Sequence, residues 1–194
     1  MQTLIRRIVP LIVAITFGAA GALAHNPAGK PDPMNASLEK LKGPEFEQSF
    51  LQQMIQHHRS AIEMAKMAGG QTQRTELRQF AEMMIFNQQK EIDEMTGWLQ
   101  SWYNTSTKDI ANPEADKEMK MHMSMFAGKK DTDFDKTFLQ MMPQHHHVGV
   151  EMAEQAEKKA THPELKEFAS KLVKDEQAEI KQMKQWAQEW FGPA

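Results

Sequence analysis

Two stretches of the chain, FLQQMIQHHRSAIEMA at residues 50–65 and FLQMMPQHHHVGVEMA at residues 138–153, repeat one another 88 positions apart. Both contain the same potential metal ligands, a methionine, an adjacent pair of histidines and a second methionine: Met54, His57, His58 and Met64, then Met142, His145, His146 and Met152. In each copy the first methionine stands three residues before the first histidine, one helical turn away on the same side. The duplication therefore doubles a set of potential metal ligands.

The repeat extends far beyond these two stretches. From Phe46 to Trp102 the shift of 88 holds without a gap and pairs, for example, Phe80 with Phe168. Residues that suit a buried face recur in the second segment at the helical steps of three and four: Leu77, Phe80, Ala81, Met84, Gln88, Ile92, Met95, Leu99 and Trp102. Each half is therefore predicted to be a helical hairpin. If the two hairpins pair about a pseudo-twofold axis, equal positions lie at similar heights, so His57 and His145 are predicted to be near neighbours in space.

Proline and glycine set the predicted helix ends. The expected bounds are Pro44 to Gly69-Gly70, Thr72 to Tyr103, Thr132 to Lys159, and from Thr161 onward. Proline suits a first helical turn and glycine a helix end, while Thr161 and Glu164 have the spacing of a capping box. Pro143 lies inside the third helix, where it predicts a kink that repositions the histidines, or else a tolerated irregularity.

A long connection with its own short helix joins the halves, with Asn112 as the expected cap and Pro113 in the first turn. This organisation predicts an all-α fold, a ferritin-like four-helix bundle built from two duplicated antiparallel hairpins with a long helical crossover. An up-down bundle with a long loop is the alternative. A single domain would occupy residues 44–192, with repeat 1 at 44–103, the crossover at 104–131 and repeat 2 at 132–192.

The N-terminal residues have the pattern of a secretory signal over residues 1–24. Arg6 and Arg7 precede an apolar stretch, which ends in the small-residue cleavage pattern Ala22-Leu23-Ala24. Cleavage after Ala24 would leave an irregular leader at 25–43 and a periplasmic or secreted protein without a membrane span. An uncleaved anchor is the alternative, although the stretch is short for one.

The amino-acid composition restricts which partners and which metal ligands are expected. After removal of the signal, 21 basic side chains face 26 acidic ones, so nucleic acid is not an expected partner. Cysteine is absent, which excludes disulfides, thiol catalysis and thiolate metal sites. The chain has 16 methionines, more than a gap-filling role in a core requires. Any soft ligand must therefore be a methionine.

The crossover contains a second, denser methionine cluster: Met119, Met121, His122, Met123 and Met125. Thioethers around an imidazole suit a soft monovalent ion such as Cu(I) or Ag(I). Alternatively, a small amphipathic helix buries Met119, His122, Met123 and Phe126 against the bundle. Acid and amide side chains near the main histidines are predicted to accept hydrogen bonds from their ring N–H groups: Glu63, Glu151, Gln88, Glu91, Glu176 and Glu179.

The duplicated pattern resembles the domain of unknown function 305 (DUF305) family. The residues that carry the resemblance are Phe50, Met54, His57-His58, Ala61, Met64-Ala65, Leu77, Ala81, Gln88, Glu91-Ile92, Met95 and Trp98, and their counterparts from Met142 to Trp186. The resemblance implies a ferritin-like bundle, usually exported, with some members similar to periplasmic copper-binding and copper-resistance proteins. Glu176 and Gly149 depart from the usual glutamine and alanine of the second copy, so the two sites are expected to differ in affinity.

The leading hypothesis is an exported copper-binding protein that sequesters or transfers Cu(I), with Ag(I) as a second candidate, and that exchanges copper with a donor or acceptor protein. The duplicated methionines and histidines would be the ligands, and the crossover cluster an accessory site. A ferritin-like metal oxidase using His57, His145, Glu91, Glu176 and Glu179 is the enzymatic alternative. A structural or partner-binding bundle with satisfied core histidines is the third reading.

Overall fold

The computed structural model of the protein describes residues 32–106 and 113–192. Within these ranges the backbone forms six α-helices and no strand: α1 (Pro33–Glu39), α2 (Gly43–Gln71), α3 (Thr75–Tyr103), α4 (Pro113–Met125), α5 (Asp131–Lys159) and α6 (Pro163–Phe191). The prediction of an all-α bundle is confirmed. In the described ranges, no helix combines the length and apolar character that a membrane span requires.

The four long helices form two antiparallel hairpins, α2–α3 and α5–α6, which pack against each other through α2 and α5. Side-chain contacts fix the direction of this packing. Glu47, near the start of α2, meets Thr161 and His162 just beyond the end of α5, whereas Arg74, just beyond α2, meets Asp135 near the start of α5. Helices α2 and α5 therefore run antiparallel, and their midpoints cross at the duplicated histidines.

The connection from α3 to α5 spans the length of the bundle. The end of α3 lies beside the start of α2, because Tyr103 donates a hydrogen bond to Glu47. The start of α5 lies at the opposite end, near Arg74. Helix α4 lies along this crossover, packs on α2 and begins at the predicted Pro113. Asn112, its expected cap, is outside the described residues.

One aromatic contact between the hairpins is repeated at positions shifted by 88. Phe80 of α3 meets Trp186 of α6 edge-to-face at 5.3 Å, and the counterpart contact joins Phe168 to Trp98 at 5.2 Å. The bundle is therefore close to twofold symmetric, as expected when each copy of a duplicated sequence buries the same face.

The leader expected at 25–43 is not irregular in its described part, because it contains α1. The Asp32 carboxylate accepts a hydrogen bond from the Met34 N–H at 2.9 Å, Pro33 occupies the first turn, and Leu38 is fully buried in the main core. A helix of seven residues is too short for a periodic pattern to reveal. The signal peptide at 1–24 lies outside the described residues.

Several helix ends also differ from expectation. Helix α2 continues through Gly69-Gly70 to Gln71, and α3 begins at Thr75 rather than Thr72. The capping box of Thr161 and Glu164 is wrong: His162 is the residue before α6, and the Thr161 hydroxyl donates to Glu47 instead. A tertiary contact has replaced the local one. Helix α5 runs uninterrupted through Pro143.

Candidate metal centre

The midpoints of α2 and α5 bring His57 and His145 into direct contact. Their rings stack with centroids 3.8 Å apart and planes inclined by 27°. The prediction that these two histidines, 88 residues apart, are neighbours is confirmed. His58 and His146 are also fully buried, although adjacent helical residues point about 100° apart. Both members of each pair are buried because each helix packs against two neighbours.

The His57 ring has a defined tautomer. Its Nε2 lies 3.0 Å from the backbone carbonyl oxygen of His145. A carbonyl only accepts hydrogen bonds, so Nε2 carries the proton and Nδ1 keeps a lone pair. Burial lowers the pKa of His57 well below its ordinary value, and the neighbouring imidazoles His58 and His146 lower it further. His57 is therefore neutral and has one basic nitrogen.

His58 and His146 are each held by a glutamate of the following helix. His58 Nε2 lies 2.9 Å from Glu91 Oε2 on α3, and His146 Nε2 lies 2.8 Å from Glu179 Oε2 on α6. Such carboxylates fix the orientation of a ligating imidazole and raise its basicity. Glu91 and Glu179 thus act as the ring N–H acceptors considered from the sequence.

All four buried histidines leave Nδ1 without a hydrogen-bond partner among the described residues: His57, His58, His145 and His146. A buried nitrogen of this kind costs about 1–3 kcal/mol unless a partner binds it. Four such nitrogens lie around one helix crossing, and those of His57, His58 and His146 are electron-pair donors, because Nε2 of each of these rings lies against a protein oxygen. This chemistry suits a transition-metal ion.

Glu176 adds a carboxylate to one side of this set. Its side chain is buried, and neither carboxylate oxygen has a hydrogen-bond partner in the described part of the chain. Burial raises the pKa of Glu176 well above its ordinary value, and Glu179 and Glu91 raise it further. One ligand atom each from His57, His58 and Glu176 lie within 4.8 Å of one another.

The four methionines of the repeated motif, Met54, Met64, Met142 and Met152, are all fully buried. Met54 and Met152 belong to the main apolar cluster, which also contains Phe46, Phe50 and Leu165. Their thioethers therefore contribute to the core, one or two helical turns from the histidines in sequence.

The crossover cluster lies partly against the bundle. Met119, Met123 and Met125 are half-buried, whereas Met121 is exposed. His122 is half-buried, and its ring meets that of His145 edge-on with centroids 5.7 Å apart. Burial lowers the pKa of His122, although Asp32 opposes this effect. Phe126, the residue after α4, is buried, and α4 brings a fifth imidazole to the centre.

Three other predicted acceptors, Glu63, Glu151 and Gln88, make none of the hydrogen bonds seen for the buried histidines. Glu63 pairs with Lys66 on the surface, and Glu151 accepts a hydrogen bond from Asn35. Gln88 is buried, but none of the hydrogen bonds observed for the histidines involves it. Among the described residues, Glu91 and Glu179 are the predicted acceptors that hold ring nitrogens of the buried histidines; Glu151 lies 3.4 Å from Nε2 of the exposed His147.

The family model for the domain of unknown function DUF305 matches residues 20–99 and again residues 47–187. The chain belongs to the DUF305 family. None of the curated proteins matches the sequence. A DUF305 protein of Streptomyces coelicolor, 24% identical, has the same fold with a TM-score of 0.62, and the match covers 71% of this chain and 89% of that one.

Structures of the copper-binding protein CopM are more similar in sequence. CopM in its Cu(I)-bound form is 34% identical, with a TM-score of 0.65, and the match covers 75% of this chain and 98% of that chain. The Cu(II)-bound form gives 32% identity and a TM-score of 0.64, and a silver-bound form gives 33% and 0.65, with the same coverage.

Gly149 and Glu176, the two residues of this DUF305 chain that depart from the family pattern, lie against each other. Sequence reasoning missed this contact. A Cβ atom built on Gly149 would lie 2.5 Å from Glu176 Oε2 and 2.9 Å from His57 Cε1. The glycine therefore makes room for the glutamate. The signal was present in the repeats, because positions 149 and 176 correspond to Ala61 and Gln88. The second repeat thus has a smaller residue on α5 and an acid on α6 where the first has alanine and glutamine. Such a pair of differences indicates that the smaller residue makes room for the acid.

Proposed function

We propose that this protein binds copper as Cu(I), and Ag(I) in its place, at the crossing of α2 and α5. His57, His58, His145 and His146 would supply imidazole nitrogens, and the motif methionines Met54, Met64, Met142 and Met152 would supply thioethers. The proposed role is to sequester the ion or pass it to another protein, in metal homeostasis or resistance.

The observation that carries the proposal is the set of four buried imidazoles whose Nδ1 atoms have no hydrogen-bond partner among the described residues. A structural histidine in a core normally uses both ring nitrogens or leaves the free one in water. Here the Nε2 atoms of His57, His58 and His146 are bonded to protein oxygens, so their basic nitrogens remain available. Metal binding would remove the cost of these buried lone pairs.

The softness of the ion is supported by the ligand types and by the similarity to CopM. Thioether sulfur and imidazole nitrogen favour Cu(I) over hard cations, and thiolates are absent from the chain. CopM, one third identical over three quarters of this chain, has structures with Cu(I) and with silver.

Export and transfer are proposed on separate grounds. Residues 1–24 have the pattern of a secretory signal, which would deliver the protein to the periplasm or the medium. On α4, exposed Met121 stands beside half-buried His122, whose ring contacts His145. The methionines of α4 would capture the ion at the surface and hand it inward.

Titration of the purified protein with Cu(I) and Ag(I), followed by intact mass spectrometry, tests the proposal. We expect uptake at micromolar concentrations and, in a His57→Ala/His145→Ala variant, at least about 100-fold weaker binding of the ion at the central site. His147→Ala is the matched control, because this histidine is 67% exposed on the same helix. It should bind like the parent protein.

Two outcomes would contradict the proposal. No uptake of a soft ion by the folded parent protein would exclude copper binding of the proposed kind. Full uptake by the double variant, with helical circular dichroism intact, would move the ion away from the histidines and towards the methionines of α4.

A ferritin-like oxidase is the second candidate, and one observation favours it: Glu176 gives the centre a buried carboxylate beside His57 and His58. An oxidase would need a redox metal with an open coordination position. Retention of iron or manganese with oxygen-dependent turnover would support this reading. Reversible Cu(I) uptake without oxygen consumption would support binding alone.

A further inference from the structure

The centre is not symmetric, although the sequence that builds it is duplicated. In repeat 1 the paired positions on the two helices are Ala61 and Gln88, whereas in repeat 2 they are Gly149 and Glu176. One half of the centre therefore contains a carboxylate where the other half has an amide.

The Glu176 carboxylate makes no hydrogen bond that would stabilise the fold within the described residues. It is buried, and within the described residues neither oxygen accepts a hydrogen bond. An acid in this state destabilises the protein unless a cation accompanies it. Glu91 and Glu179 add further negative charge nearby. The surroundings thus favour a bound positive charge at this position.

Gly149 is what allows the carboxylate to reach the histidines. A methyl group at this position would meet Glu176 Oε2 at 2.5 Å, Glu176 Oε1 at 3.1 Å and His57 Cε1 at 2.9 Å. Real Cβ atoms do not approach other atoms so closely. Glycine inside a helix is less favourable than alanine, so its presence at a buried position indicates a need for space.

The ligand atoms available at this point are two nitrogens and one oxygen. The Nε2 atoms of His57 and His58 are engaged by the His145 carbonyl and by Glu91, which leaves their Nδ1 atoms. His57, His58 and Glu176 each present a ligand atom within 4.8 Å of the other two. Two neutral imidazoles and a carboxylate suit a divalent cation of borderline hardness, such as Zn(II) or Cu(II), rather than a soft monovalent one.

We propose that His57, His58 and Glu176 form a site for a borderline divalent cation, made possible by Gly149. The site goes beyond the Cu(I) centre proposed above and shares two histidines with it. The two kinds of ion would therefore exclude one another, and the charge of Glu176 would select the divalent one.

Calorimetric titration with Zn(II), which has no redox chemistry, tests the site. The folded parent protein should bind one Zn(II) at micromolar concentrations or below. Glu176→Gln removes the charge while keeping the shape, and Zn(II) affinity should fall at least about 100-fold. Glu167→Gln, an exposed glutamate of the same helix, is the matched control and should bind like the parent protein.

Ag(I) titration of the same variants separates this inference from the proposed function. Glu176→Gln should bind Ag(I) within about threefold of the parent protein, because the soft ligands are intact. If neither parent nor variant binds Ag(I) while Zn(II) binding still depends on Glu176, the Cu(I) proposal fails and the divalent site stands. Equal Zn(II) affinity in parent and Glu176→Gln would overturn the site, as would no Zn(II) binding by the parent.

The stability of the metal-free variant distinguishes a ligand from a structural residue. Without a cation, Glu176→Gln should unfold at the same or higher urea concentration than the parent protein, because it removes a buried acid that has no partner in the described residues. A variant that is strongly destabilised or fails to fold would show that Glu176 serves packing, and the proposed site would be rejected.

Discussion

At the residue scale, the centre depends on how each imidazole divides its two nitrogens. His57 donates to a backbone carbonyl, and His58 donates to Glu91. Both bonds use Nε2, so both Nδ1 lone pairs remain free to bind a ligand. The sequence predicted that His57 and His145 would meet, since an ungapped repeat places equal positions at equal heights. It could not predict which nitrogen each ring would use, because the acceptors lie on other helices.

The pairing of Gly149 with Glu176 gives a sharp prediction at this scale. Gly149→Ala should lower the free energy of unfolding by up to about 2 kcal/mol, because overlap of the new methyl group with the Glu176 carboxylate and the His57 ring costs about 1–3 kcal/mol and the better helix propensity of alanine offsets up to about 1 kcal/mol of it. Urea unfolding followed by circular dichroism measures the change.

Gly97→Ala is the control for that substitution, because Gly97 lies inside α3 and a Cβ there would meet no atom within 4 Å. Alanine has the better helix propensity, so this variant should be more stable by up to about 1 kcal/mol. Stabilisation by both substitutions would mean that the space at Gly149 is not needed.

At the element scale, periodicity predicted the four long helices, but not the short helix α1 or the first residue of α6. The buried positions of α3 from Leu77 to Leu99 are those that the three- and four-residue steps indicated, and only Trp102 is less buried than expected. Helix α1 was missed because one buried leucine makes no pattern. The cap of α6 was misassigned because Thr161 bonds to Glu47, a residue 114 positions away. Local sequence rules fail where a tertiary partner competes.

Helix α4 carries the prediction that belongs to this scale. Replacing Met119, Met121, Met123 and Met125 together by leucine should reduce the Ag(I) stoichiometry while the histidine-dependent ion is retained. Leucine preserves apolar volume but has no sulfur, and Leu–Met exchanges cost less than about 1.5 kcal/mol even in a core. Intact mass spectrometry counts the ions, and thermal unfolding should shift by only a few degrees.

Met83→Leu is the comparison for α4, since this methionine is 58% exposed and belongs to α3. It should leave the Ag(I) stoichiometry unchanged. If the fourfold variant also binds as many ions as the parent protein, α4 has no part in metal capture.

At the scale of the whole molecule, two corresponding side-chain pairs, here called ties, join the repeats. Glu47 binds His162, whose ring stacks on Trp102 at 3.9 Å. With each number shifted by 88 and the repeats exchanged, Asp135 binds Arg74, which lies 4.1 Å from the centre of the Trp190 ring. The same geometry is thus made with different residues at the two ends of the bundle, His162 with Glu47 at one and Arg74 with Asp135 at the other. The sequence predicted the symmetry of the helices, but not these ties, because they join helix ends that periodicity does not locate.

Glu47 makes the first of these ties sensitive to acid. Its carboxylate accepts hydrogen bonds from the Tyr103 hydroxyl, from Thr161, and from the backbone and ring nitrogens of His162. Burial raises the pKa of Glu47, but these hydrogen bonds outweigh burial and lower it from 4.5 to about 2. The charged form is therefore favoured in the folded protein relative to the unfolded chain.

The Glu47 tie predicts a defined pH window for stability. A carboxyl group with a lowered folded-state pKa stabilises fully above its unfolded pKa of 4.5 and loses this effect as the pH falls towards about 2. The shift corresponds to about 3 kcal/mol. Glu47→Gln should therefore be less stable than the parent by roughly this amount above pH 4.5, and the difference should shrink towards zero near pH 2. Urea unfolding at a series of pH values measures it.

Glu45→Gln is the control, because Glu45 is an exposed neighbour in the first turn of α2. It should change the free energy of unfolding by less than about 0.5 kcal/mol throughout this pH range. A constant difference between parent and Glu47→Gln across this range would show that Glu47 stabilises the bundle through shape and not through its charge.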